Sequence, residues 1–572
     1  MTSAEPFVLL DGGGSGRSLL FRSPGDIVET RDPGEVRASM RRLEGRHAAG
    51  FIAYEAGHAL EPKLAPLCRA PASDEPPLLW FGLFGAPEQV DPAAFLPDPA
   101  GAWAAPPRPL IERAAHCGGV ERILRHIEAG DVYQVNFTFP AEIRFAGHPL
   151  ALYAALRARA GAAHGAIVFT GAHWILSFSP ELFFAMKSGR ILARPMKGTA
   201  PRSDDPETLR ADPKQRAENL MIVDLLRNDL SRVSRPGSVE VPQLFAVETY
   251  PTLHQMTSTV TASLAAGIGP ARVLETIFPC GSVTGAPKIR AMELIAGIEP
   301  ARRGVYTGSI GRVAPDGEAE FNVAIRTLTV PAGGDVAAIG LGSGIVADSR
   351  AGEEWRECLA KGAFVHDPEH SFDLIETMRF DPQEGMPDLE RHLSRLRRSA
   401  EALGFAFDRH DARNELQAAT FRLPEPAKVR LMLSPSGATA IEIRPLAALP
   451  AQPVEVALAR RTVAADDFRL AHKTSDRAFY DAPRRAAGAF EILFEDEAGF
   501  LTEGSWTSLF IERGGRLLTP PLARGLLPGI LRERLIEERR AEEADLVAAD
   551  LVSGFLIGNA VRGLIRARLA AP

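Results

Sequence analysis

A lysine and a glutamate in the middle of the chain are the first residues whose types and spacing could do covalent chemistry. Lys197 follows Glu181 and lies between Pro195 and Gly198. The proline and the glycine predict a turn between two extended runs, from which the lysine amine would project into a cavity. A lysine shielded from water loses its preference for the charged form and becomes a nucleophile near neutral pH. From the spacing alone, an ordinary surface lysine is the alternative.

Carboxylates on two predicted helices form a second constellation. Glu218 lies among apolar residues of the helix predicted over residues 214–233, and Glu354 and Glu357 share one face of the helix predicted over residues 352–361. A glycine-rich strand end at residues 342–349 precedes the second helix and lets backbone N–H groups approach an anion. Carboxylate oxygens are the ligands that Mg²⁺ prefers. Taken singly, each glutamate could equally be a charge on a helix surface.

A third constellation lies in the last two hundred residues. Lys473 follows a strand-like run, Glu503 comes about thirty residues later, and a helix begins near Gly529 and Ile530. A lysine that attaches covalently to a cofactor, an acid that holds a pyridinium proton, and a helix N-terminus that binds phosphate are the groups that pyridoxal phosphate requires. Spacing alone leaves a structural role for these residues open.

The elements that must position these groups change character along the chain. The first hundred residues alternate short strand-like runs with turns, and the Pro/Ala-rich residues 96–110 are interpreted as a connector. Helices are predicted over residues 120–129, 214–233, 352–361, 388–403 and 478–487 and near 526–538, and strands over 166–177, 304–313, 321–330 and 335–345. A boundary is expected at residues 364–371.

Length and composition limit the function classes. A chain of 572 residues should form several domains, and 45% hydrophobic with 24% charged residues is typical of globular proteins. A net charge of −7 argues against nucleic acid, and we find no apolar segment long enough to span a membrane. Four cysteines without CxxC spacing and a start without signal-peptide features predict a cytoplasmic protein.

Seven motifs, in order, give residues 115–362 a specific family resemblance. This region resembles the chorismate-utilising enzymes, the family of anthranilate synthase, isochorismate synthase and aminodeoxychorismate synthase component I. The matching residues are 130–136 (GDVYQVN), 179–181 (SPE), 195–199 (PMKGT), 217–224 (AENLMIVD), 281–288 (GSVTGAPK), 325–327 (IRT) and 344–349 (GIVADS).

The resemblance implies chorismate as substrate and a role for each residue of the first site. Residue 197 is alanine in the anthranilate branch and lysine in the aminodeoxychorismate branch, where the amine adds to the ring before ammonia replaces it. Glu181 would be the acid/base residue. The residues implied for Mg²⁺ are Glu218, Glu354 and Glu357, and those implied for chorismate are Arg326, Tyr306, Thr284, Gly285, Gly342 and Gly344. His254 matches a residue that assists pyruvate loss in the anthranilate branch.

Two departures from the family pattern alter these expectations. Leu9-Leu10-Asp11-Gly12 lacks the Leu-Leu-Glu-Ser sequence of tryptophan-inhibited relatives, so we expect no such feedback site. Gln215 replaces a second acidic residue of many relatives, which would weaken the metal site by one carboxylate.

The C-terminal residues resemble the class IV aminotransferases and, within them, aminodeoxychorismate lyase. Lys473 would attach to pyridoxal phosphate and move protons, Glu503 would pair with the pyridine nitrogen, and Thr377 would donate a proton to the leaving group. The remaining cofactor contacts implied by the resemblance are Arg379, Gly529, Ile530 and Asn559. The domain is shortened before residue 374 relative to the family pattern.

Together these resemblances imply a bifunctional α+β protein that converts chorismate to 4-aminobenzoate for folate. We expect an antiparallel sheet sandwich with outer helices, comprising residues 1–110 and a catalytic domain at 111–364. A two-lobed class IV aminotransferase-like α/β domain at 371–572, with possible homodimerisation, would follow. No glutaminase motif is found, so ammonia would come from a separate glutamine amidotransferase subunit. The alternatives are an anthranilate or isochorismate synthase fused to an amino-acid transaminase or to a non-catalytic scaffold domain.

Overall fold

The computed structural model describes residues 5–12, 18–249, 253–366, 372–449 and 451–570. The chain forms two compact units. The first contains Met1–Pro97, Pro106–Ile143 and Tyr153–His366, and the second contains Asp98–Ala105, Arg144–Leu152 and Asp367–Pro572. Most of the boundary expected at residues 364–371 lies outside the described residues. No helix in the described ranges is long and apolar enough to cross a membrane.

The strands, in chain order, are β1 (Phe7–Asp11), β2 (Ser18–Arg22), β3 (Asp26–Thr30), β4 (His47–Ile52), β5 (Leu79–Phe84), β6 (Glu88–Val90), β7 (Trp103–Ala104), β8 (Arg108–Pro109), β9 (Gln134–Ala146), β10 (His164–Phe169), β11 (His173–Ser179), β12 (Leu182–Lys187), β13 (Arg190–Arg194), β14 (Met196–Pro201), β15 (Glu240–Thr249), β16 (Leu253–Ser263), β17 (Gly285–Ala286), β18 (Ser309–Val313), β19 (Ala319–Asn322), β20 (Thr327–Pro331), β21 (Val336–Ile345), β22 (Leu374–Phe380), β23 (Ala427–Leu433), β24 (Thr439–Pro445), β25 (Val454–Arg460), β26 (Glu491–Glu495), β27 (Leu501–Gly504), β28 (Ser508–Arg513), β29 (Arg516–Thr519), β30 (Ala541–Glu543), β31 (Phe555–Asn559) and β32 (Gly563–Leu569).

The helices are α1 (Val36–Arg41), α2 (Ala56–Leu60), α3 (Pro92–Phe95), α4 (Arg113–Glu128), α5 (Pro149–Ala160), α6 (Pro206–Ala211), α7 (Pro213–Ser231), α8 (Pro270–Ile277), α9 (Lys288–Ile298), α10 (Ala351–Gly362), α11 (Leu389–Leu403), α12 (Arg409–Thr420), α13 (Phe468–Ala471), α14 (Ala478–Ala487) and α15 (Ile530–Glu537).

The first unit is built on two antiparallel sheets. One sheet has the order β17-β9-β21-β20-β11-β10-β1-β2-β6, and the other has the order β14-β16-β13-β12-β19-β18-β4-β5-β3. Buried residues of both sheets, including Val8, Ile175, Phe51 and Trp80, form one core cluster. Two sheets whose apolar faces meet in this way form a sandwich.

Helices cover the outer faces of both sheets. Ile222 and Leu226 of α7 and Leu274 of α8 pack into a core cluster with the second sheet. Val120 of α4 and Leu294 of α9 belong to a cluster with β9 of the first sheet. The predicted antiparallel sandwich with outer helices is therefore confirmed.

The second unit contains two sheets. Strands β22, β23 and β24 form a small antiparallel sheet, and α11 and α12 contribute to the core cluster on one face of it. On β23 the residues alternate between buried and partly buried, as a strand with one core face should. In the larger sheet, β27-β26-β25-β32-β31-β28 form a closed ring because β27 also pairs with β28.

The Pro/Ala-rich segment at residues 96–110 is not a simple connector. Trp103 and Ala104 form β7, which pairs with Phe145 and Ala146. The Trp103 indole lies 5.8 Å from the ring of Phe372 and packs against the core cluster of the small sheet. Composition missed this role because proline and alanine dominate the segment, and a single tryptophan supplies the packing.

Two candidate active sites

Alternate glycines on β21 leave one strand face of the first unit bare. A Cβ on Gly340 would meet the ring of Tyr306 at 2.0 Å, and one on Gly342 would meet the Phe137 carbonyl oxygen at 2.6 Å. A Cβ on Gly344 would lie 3.0 Å from Lys197 Nζ. Because any side chain would occupy this space, glycine lets the phenol ring and the lysine amine lie directly on the strand.

Lys197 lies in a strand and not in the predicted turn. It belongs to β14, whose pairing with β16 is irregular between Met196 and Thr199, and Gly198 has a φ of +93°. The Asn219 amide donates to the Lys197 carbonyl at 3.4 Å, and the Gln255 amide donates to the Gly198 carbonyl at 2.7 Å. A β-bulge re-aims a side chain while the strand continues, which explains why the proline and glycine resemble a turn in sequence.

The surroundings of Lys197 favour the neutral amine. Burial lowers its pKa, the nearby ammonium of Lys361 lowers it further, and the carboxylates of Glu218, Glu357 and Glu181 oppose both effects. Lys361 Nζ lies 2.8 Å from Glu357 Oε1 and donates to the Gly342 carbonyl at 2.9 Å. We did not predict Lys361 from the sequence. Its position four residues after Glu357 on α10 was the available signal.

Glu181 joins Lys197 in this site as a buried acid. Its side chain lies between β11 and β12 and is 4% exposed. Burial raises its pKa to about 7, although the Ser282 hydroxyl, the Lys197 amine and the Met196 N–H oppose the shift. A carboxyl group with this pKa is protonated in a large fraction of molecules at neutral pH and can donate that proton.

The three predicted metal ligands differ in their pKa shifts and in their hydrogen bonding. Burial raises the pKa of Glu218, with Lys197 and Lys214 opposing the shift. Burial also acts to raise the pKa of Glu357, but Lys361, Lys197 and Lys214 together outweigh it and the net shift is downward. Glu354 Oε2 is buried without a hydrogen-bond partner. An orphaned buried carboxylate oxygen is the kind of group that a hard cation satisfies.

These carboxylates do not form a complete metal cage. Among the described residues, no group of three or more His, Cys, Asp or Glu is arranged to hold a metal ion. Mg²⁺ commonly keeps several waters and binds through one or two carboxylates plus substrate oxygens. The residues present therefore fit a partial Mg²⁺ site that substrate would complete.

The groups predicted to contact chorismate differ in burial and in the hydrogen bonds that they already make. The Thr284 hydroxyl donates to the Cys280 carbonyl at 3.1 Å, and Thr284 is fully buried. Gly285 has a φ of +150°, and a Cβ there would lie 2.2 Å from the Gln134 carbonyl oxygen. Arg326 is partly buried, also has a positive φ (50°), and donates through Nη1 to the Ala160 carbonyl at 2.8 Å.

Gln134 is a further side chain of this site, and His254 is held by hydrogen bonds on β16. Both amide atoms of Gln134 are buried without partners, and a Cβ on Gly344 would lie 2.9 Å from its Nε2. We did not predict Gln134 individually, although it lies in the 130–136 motif. His254 Nδ1 lies 2.9 Å from the Thr249 hydroxyl and its Nε2 lies 3.1 Å from the Asp204 carbonyl, so both ring nitrogens are engaged.

Comparison with known families now agrees with this geometry. Residues 27–367 match the family model described as chorismate binding enzyme. This match covers more than half of the chain. The chain belongs to the chorismate binding enzymes. A crystal structure of anthranilate synthase component I from Streptococcus pneumoniae, 24% identical, superposes with a TM-score of 0.54 over 62% of this chain and 93% of that one, which supports the fold.

Relatives of this chorismate binding enzyme have two different names. Aminodeoxychorismate synthase component 1 of Klebsiella aerogenes is 41% identical over 280 residues, which are 48% of this chain and 61% of that protein. Anthranilate synthase component 1 of Streptomyces coelicolor is 42% identical over 250 residues, 42% of this chain and 48% of that protein. The chain thus spans about half to three fifths of these relatives, and identity alone does not choose between their activities.

The second candidate site is a cavity of about 310 Å³ in the C-terminal unit of this chorismate binding enzyme. Residues 373–570, which surround most of it, match the family model of class IV amino-transferases. Most of the predicted residues line it, namely Thr377, Lys473, Glu503, Gly529, Ile530 and Asn559. Lys428 and Arg395 also line it and were not predicted.

The cavity shifts the pKa values of Lys473 and Glu503 toward each other. Burial lowers the pKa of Lys473 to about 7, with Arg477 and Arg395 adding to the shift. Burial raises the pKa of Glu503 to about 7, although its hydrogen bonds from the Tyr480 hydroxyl and from Leu527 N at 3.0 Å oppose the shift. A deprotonated lysine and an acid already fixed by donors are the pair that pyridoxal phosphate needs.

The predicted phosphate contact at Arg379 stays a prediction. Arg379 does not line the cavity; its guanidinium is partly exposed and lies 3.2 Å from Asp381. It follows Thr377 on the same face of β22, but the strand carries it past the cavity. Arg395 of α11 does line the cavity, and it donates to Glu376 at 2.8 and 2.7 Å and to the Pro528 carbonyl at 2.9 Å.

Glu376 anchors the cationic wall of this cavity. Burial acts to raise its pKa, but Arg395 and His392 outweigh burial and lower it to about 2. His392 Nδ1 lies 2.6 Å from Glu376 Oε2, while His392 Nε2 is buried without a partner and the residue lines the cavity. This cationic wall, together with Gly529 and Ile530 at the start of α15, fits a phosphate group.

Asn559 shapes the cavity through the backbone. Its amide nitrogen donates to the Trp506 carbonyl at 3.2 Å, and its oxygen accepts from Val561 N and Arg562 N at 3.0 Å each. These bonds use the side chain to fix two loops. The residues present therefore fit pyridoxal phosphate, with Asn559 as a loop support.

Proposed function

We propose that the N-terminal unit aminates chorismate to 4-amino-4-deoxychorismate with Lys197 as the covalent nucleophile. The observation that carries this proposal is the Lys197 amine, buried against Gly344 in the site that also holds the protonatable Glu181. An alanine at this position, as in the anthranilate branch, offers no nucleophile.

The proposed reaction balances with the groups present. The neutral Lys197 amine forms a bond to C2 of the ring, the double bonds shift, and the C4–O bond breaks. Glu181 donates the proton with which the departing hydroxyl leaves as water. Ammonia then forms a bond to C4, the double bonds shift back, and the C2–N bond to Lys197 breaks. The added ammonia loses a proton, which returns to Glu181, and the lysine is regenerated. Chorismate and ammonia have become aminodeoxychorismate and water.

The surrounding residues would bind and orient the substrate. The Arg326 guanidinium and the backbone N–H groups near Gly342 and Gly344 suit carboxylate oxygens, and the Tyr306 ring forms an adjacent wall. Thr284 and Gly285 define the opposite wall through their backbone. Glu218, Glu354 and Glu357 would hold Mg²⁺, which would neutralise charge on the substrate carboxylate.

For the C-terminal unit we propose elimination of pyruvate from aminodeoxychorismate. Lys473 would remove the proton at C4, and Thr377 would deliver a proton to the enolpyruvyl methylene as the C3–O bond breaks. Glu503 would hold the pyridine nitrogen, and Arg395 would hold the phosphate. Pyridoxal phosphate, when bound, supplies the electron sink for this cleavage. The products are 4-aminobenzoate and pyruvate, whose atoms add up to those of the substrate.

Ammonia would reach the first site from a separate glutamine amidotransferase. This part of the proposal rests on the name component 1 of the relatives, which implies a second component. Homodimerisation through the C-terminal unit also remains a proposal, which light scattering of the purified chain would test.

The decisive experiment incubates the full chain with chorismate, Mg²⁺, ammonium and pyridoxal phosphate and identifies the products. We expect 4-aminobenzoate and pyruvate in equal amounts. Formation of 2-aminobenzoate would overturn the assignment of the first site. Accumulation of aminodeoxychorismate without pyruvate would overturn that of the second, and exchange between an amino acid and a keto acid would identify a transaminase.

The cofactor assignment has an independent spectroscopic test. The chain with pyridoxal phosphate should show a visible absorption band that Lys473→Ala removes. Lys428→Gln, at another lysine of the same cavity, should keep the band because it does not attach the cofactor. A band that survives in Lys473→Ala would contradict the role of this lysine.

A further inference from the structure

Glu299 and Arg303 form a buried ion pair in the first unit, and neither residue takes part in the reaction proposed above. Glu299 directly follows α9, and Arg303 lies four residues later; their side chains are 4% and 2% exposed. Arg303 donates to Glu299 through Nε at 2.8 Å and through Nη2 at 2.6 Å. A guanidinium that is almost completely removed from water must have its donors satisfied by protein groups.

The remaining donors of Arg303 join separate parts of the chain. Nη1 donates to the Val283 carbonyl at 2.7 Å and to the Thr307 hydroxyl at 3.4 Å, and Nη2 donates to the Asn136 carbonyl at 2.7 Å. All five N–H groups of the guanidinium are therefore used. Its carbon also lies 4.4 Å from the ring centre of Tyr54.

The partners of Arg303 are chain neighbours of the proposed chorismate contacts. Val283 precedes Thr284 and Gly285, and Thr307 follows Tyr306. Asn136 lies on β9, two residues after Gln134, and its N–H donates to the Thr284 carbonyl at 2.8 Å. Glu299 holds the same strand because its Oε1 accepts from Thr138 N at 2.8 Å. One ion pair thus touches three walls of the site.

We propose that Arg303 is a positioning residue for chorismate, which fixes the spacing between β9 and the 283–285 turn. The proposal rests on the proposed function of the first unit. That spacing has little tolerance, since Gly285 sits so close to β9 that even a Cβ would overlap the Gln134 carbonyl. Arg303 touches no substrate atom; it acts through the backbone that carries Thr284, Gly285 and Gln134.

Arg303→Lys in the full chain tests the fork geometry. Lysine keeps a positive charge beside Glu299 but carries its donors on one nitrogen, so it does not span the Val283 and Asn136 carbonyls. We expect the KM for chorismate to rise about tenfold or more and kcat to fall, because small misplacements of a site are costly. The measurement is chorismate consumption at a temperature well below the unfolding transition of each variant.

A control variant separates positioning from the general loss of an arginine–carboxylate pair; it uses Arg157, whose side chain is 33% exposed. Arg157 contacts the buried Asp11 through Nε and Nη2 in the same unit, but its partners adjoin no proposed site residue. Arg157→Lys should lower the unfolding temperature and leave the KM for chorismate within about twofold of wild type. An equal rise in KM in both variants would overturn the proposal.

A second variant keeps the test valid if Arg303→Lys unfolds. The double substitution Glu299→Met and Arg303→Met removes both charges together, which buried pairs often tolerate. We expect it to fold and still to show the raised KM, and a wild-type KM in this variant would overturn the positioning role. Because chorismate consumption is measured, the result does not depend on which product forms. Wild-type protein that consumes no chorismate would instead overturn the proposed function.

Discussion

Lys197 in the first unit and Lys473 in the second are both lysines whose pKa burial lowers. The site of each also holds a glutamate, Glu181 or Glu503, whose pKa burial raises to about 7. The two sites differ in the positively charged side chain that lies near the lysine. Lys197 has the ammonium of Lys361 nearby, whereas Lys473 has the guanidinium groups of Arg477 and Arg395. An amine can therefore be made nucleophilic by burial in either setting, and its neighbours decide what else the site binds.

The charges around the two lysines explain this difference. The carboxylates of Glu218, Glu357 and Glu181 act on Lys197, and Glu354, on the same helix as Glu357, has an orphaned buried oxygen, so the site suits a cation. The cavity around Lys473 is lined by Arg395, Lys428, Arg469, Arg477 and Arg562, with Glu503 as an acid, so it suits anions. The first site thus favours a metal-bridged carboxylate, and the second favours a phosphate and a carboxylate substrate.

The two sites are also supported by opposite kinds of buried group. Arg303 donates three hydrogen bonds to the walls of the first site and two more to Glu299. Glu491, which is fully buried on β26, accepts from Ile492 N, Ser505 N, Ser505 Oγ, Trp506 N and Thr507 Oγ1. Residues 504–507 line the cavity of the second site. A buried charge with every partner satisfied rigidifies the backbone around it, whichever its sign.

The largest expected effect separates the two reactions. Lys197→Ala should lower amination of chorismate about a thousandfold or more, because removal of a covalent nucleophile abolishes its pathway. Pyruvate release from supplied aminodeoxychorismate should stay at the wild-type rate. Lys187→Ala, at an exposed lysine of the same unit, is the control and should change neither rate. Undiminished formation of aminodeoxychorismate by Lys197→Ala would contradict the role of Lys197 as the covalent nucleophile.

A smaller effect should follow from crowding the Lys197 amine. In Gly344→Ala the new Cβ would lie 2.9 Å from Gln134 Nε2 and 3.0 Å from Lys197 Nζ. Both atoms end flexible side chains, so the protein should fold, but the amine must move. We expect kcat for amination to fall about a hundredfold, since a displacement near 1 Å has this cost. Gly297→Ala, with open space around its Cβ, should retain wild-type kcat.

From the sequence we named the candidate reacting residues of both sites but not the buried residues that hold the backbone around them. Lys197, Glu181, Lys473 and Glu503 could be predicted because they lie in motifs with fixed spacing. Arg395 was not predicted because a linear pattern does not distinguish an arginine on α11 from one on β22, and only the folded structure shows that Arg395 lines the cavity. Arg303 and Glu491 were missed because their partners are backbone groups far away in the sequence, which composition and periodicity do not record.

Loss of the buried Glu491 carboxylate, which supports the second site, should lower the stability of the protein. Glu491→Gln replaces an acceptor oxygen by an NH₂ group that faces donors, which should cost on the order of 3 kcal/mol of unfolding free energy. The affinity for pyridoxal phosphate, measured by absorption titration, should fall with it. Glu495→Gln, at the other end of β26, is the matched control and should unfold like wild type. Equal unfolding curves for the two variants would contradict the role of Glu491.

The smallest expected effect, about tenfold per pH unit, concerns the acid of the first site. Burial holds the pKa of Glu181 at about 7, and the proposed reaction needs its protonated form. The kcat/KM for chorismate should therefore fall as the pH rises above about 7, and it should also fall at low pH as Lys197 becomes protonated. Ammonium must be varied so that free ammonia stays constant. Glu181→Gln should remove the alkaline limb while pyruvate release by the second site keeps its own profile. An alkaline limb that persists in this variant would assign the titration to a group other than Glu181.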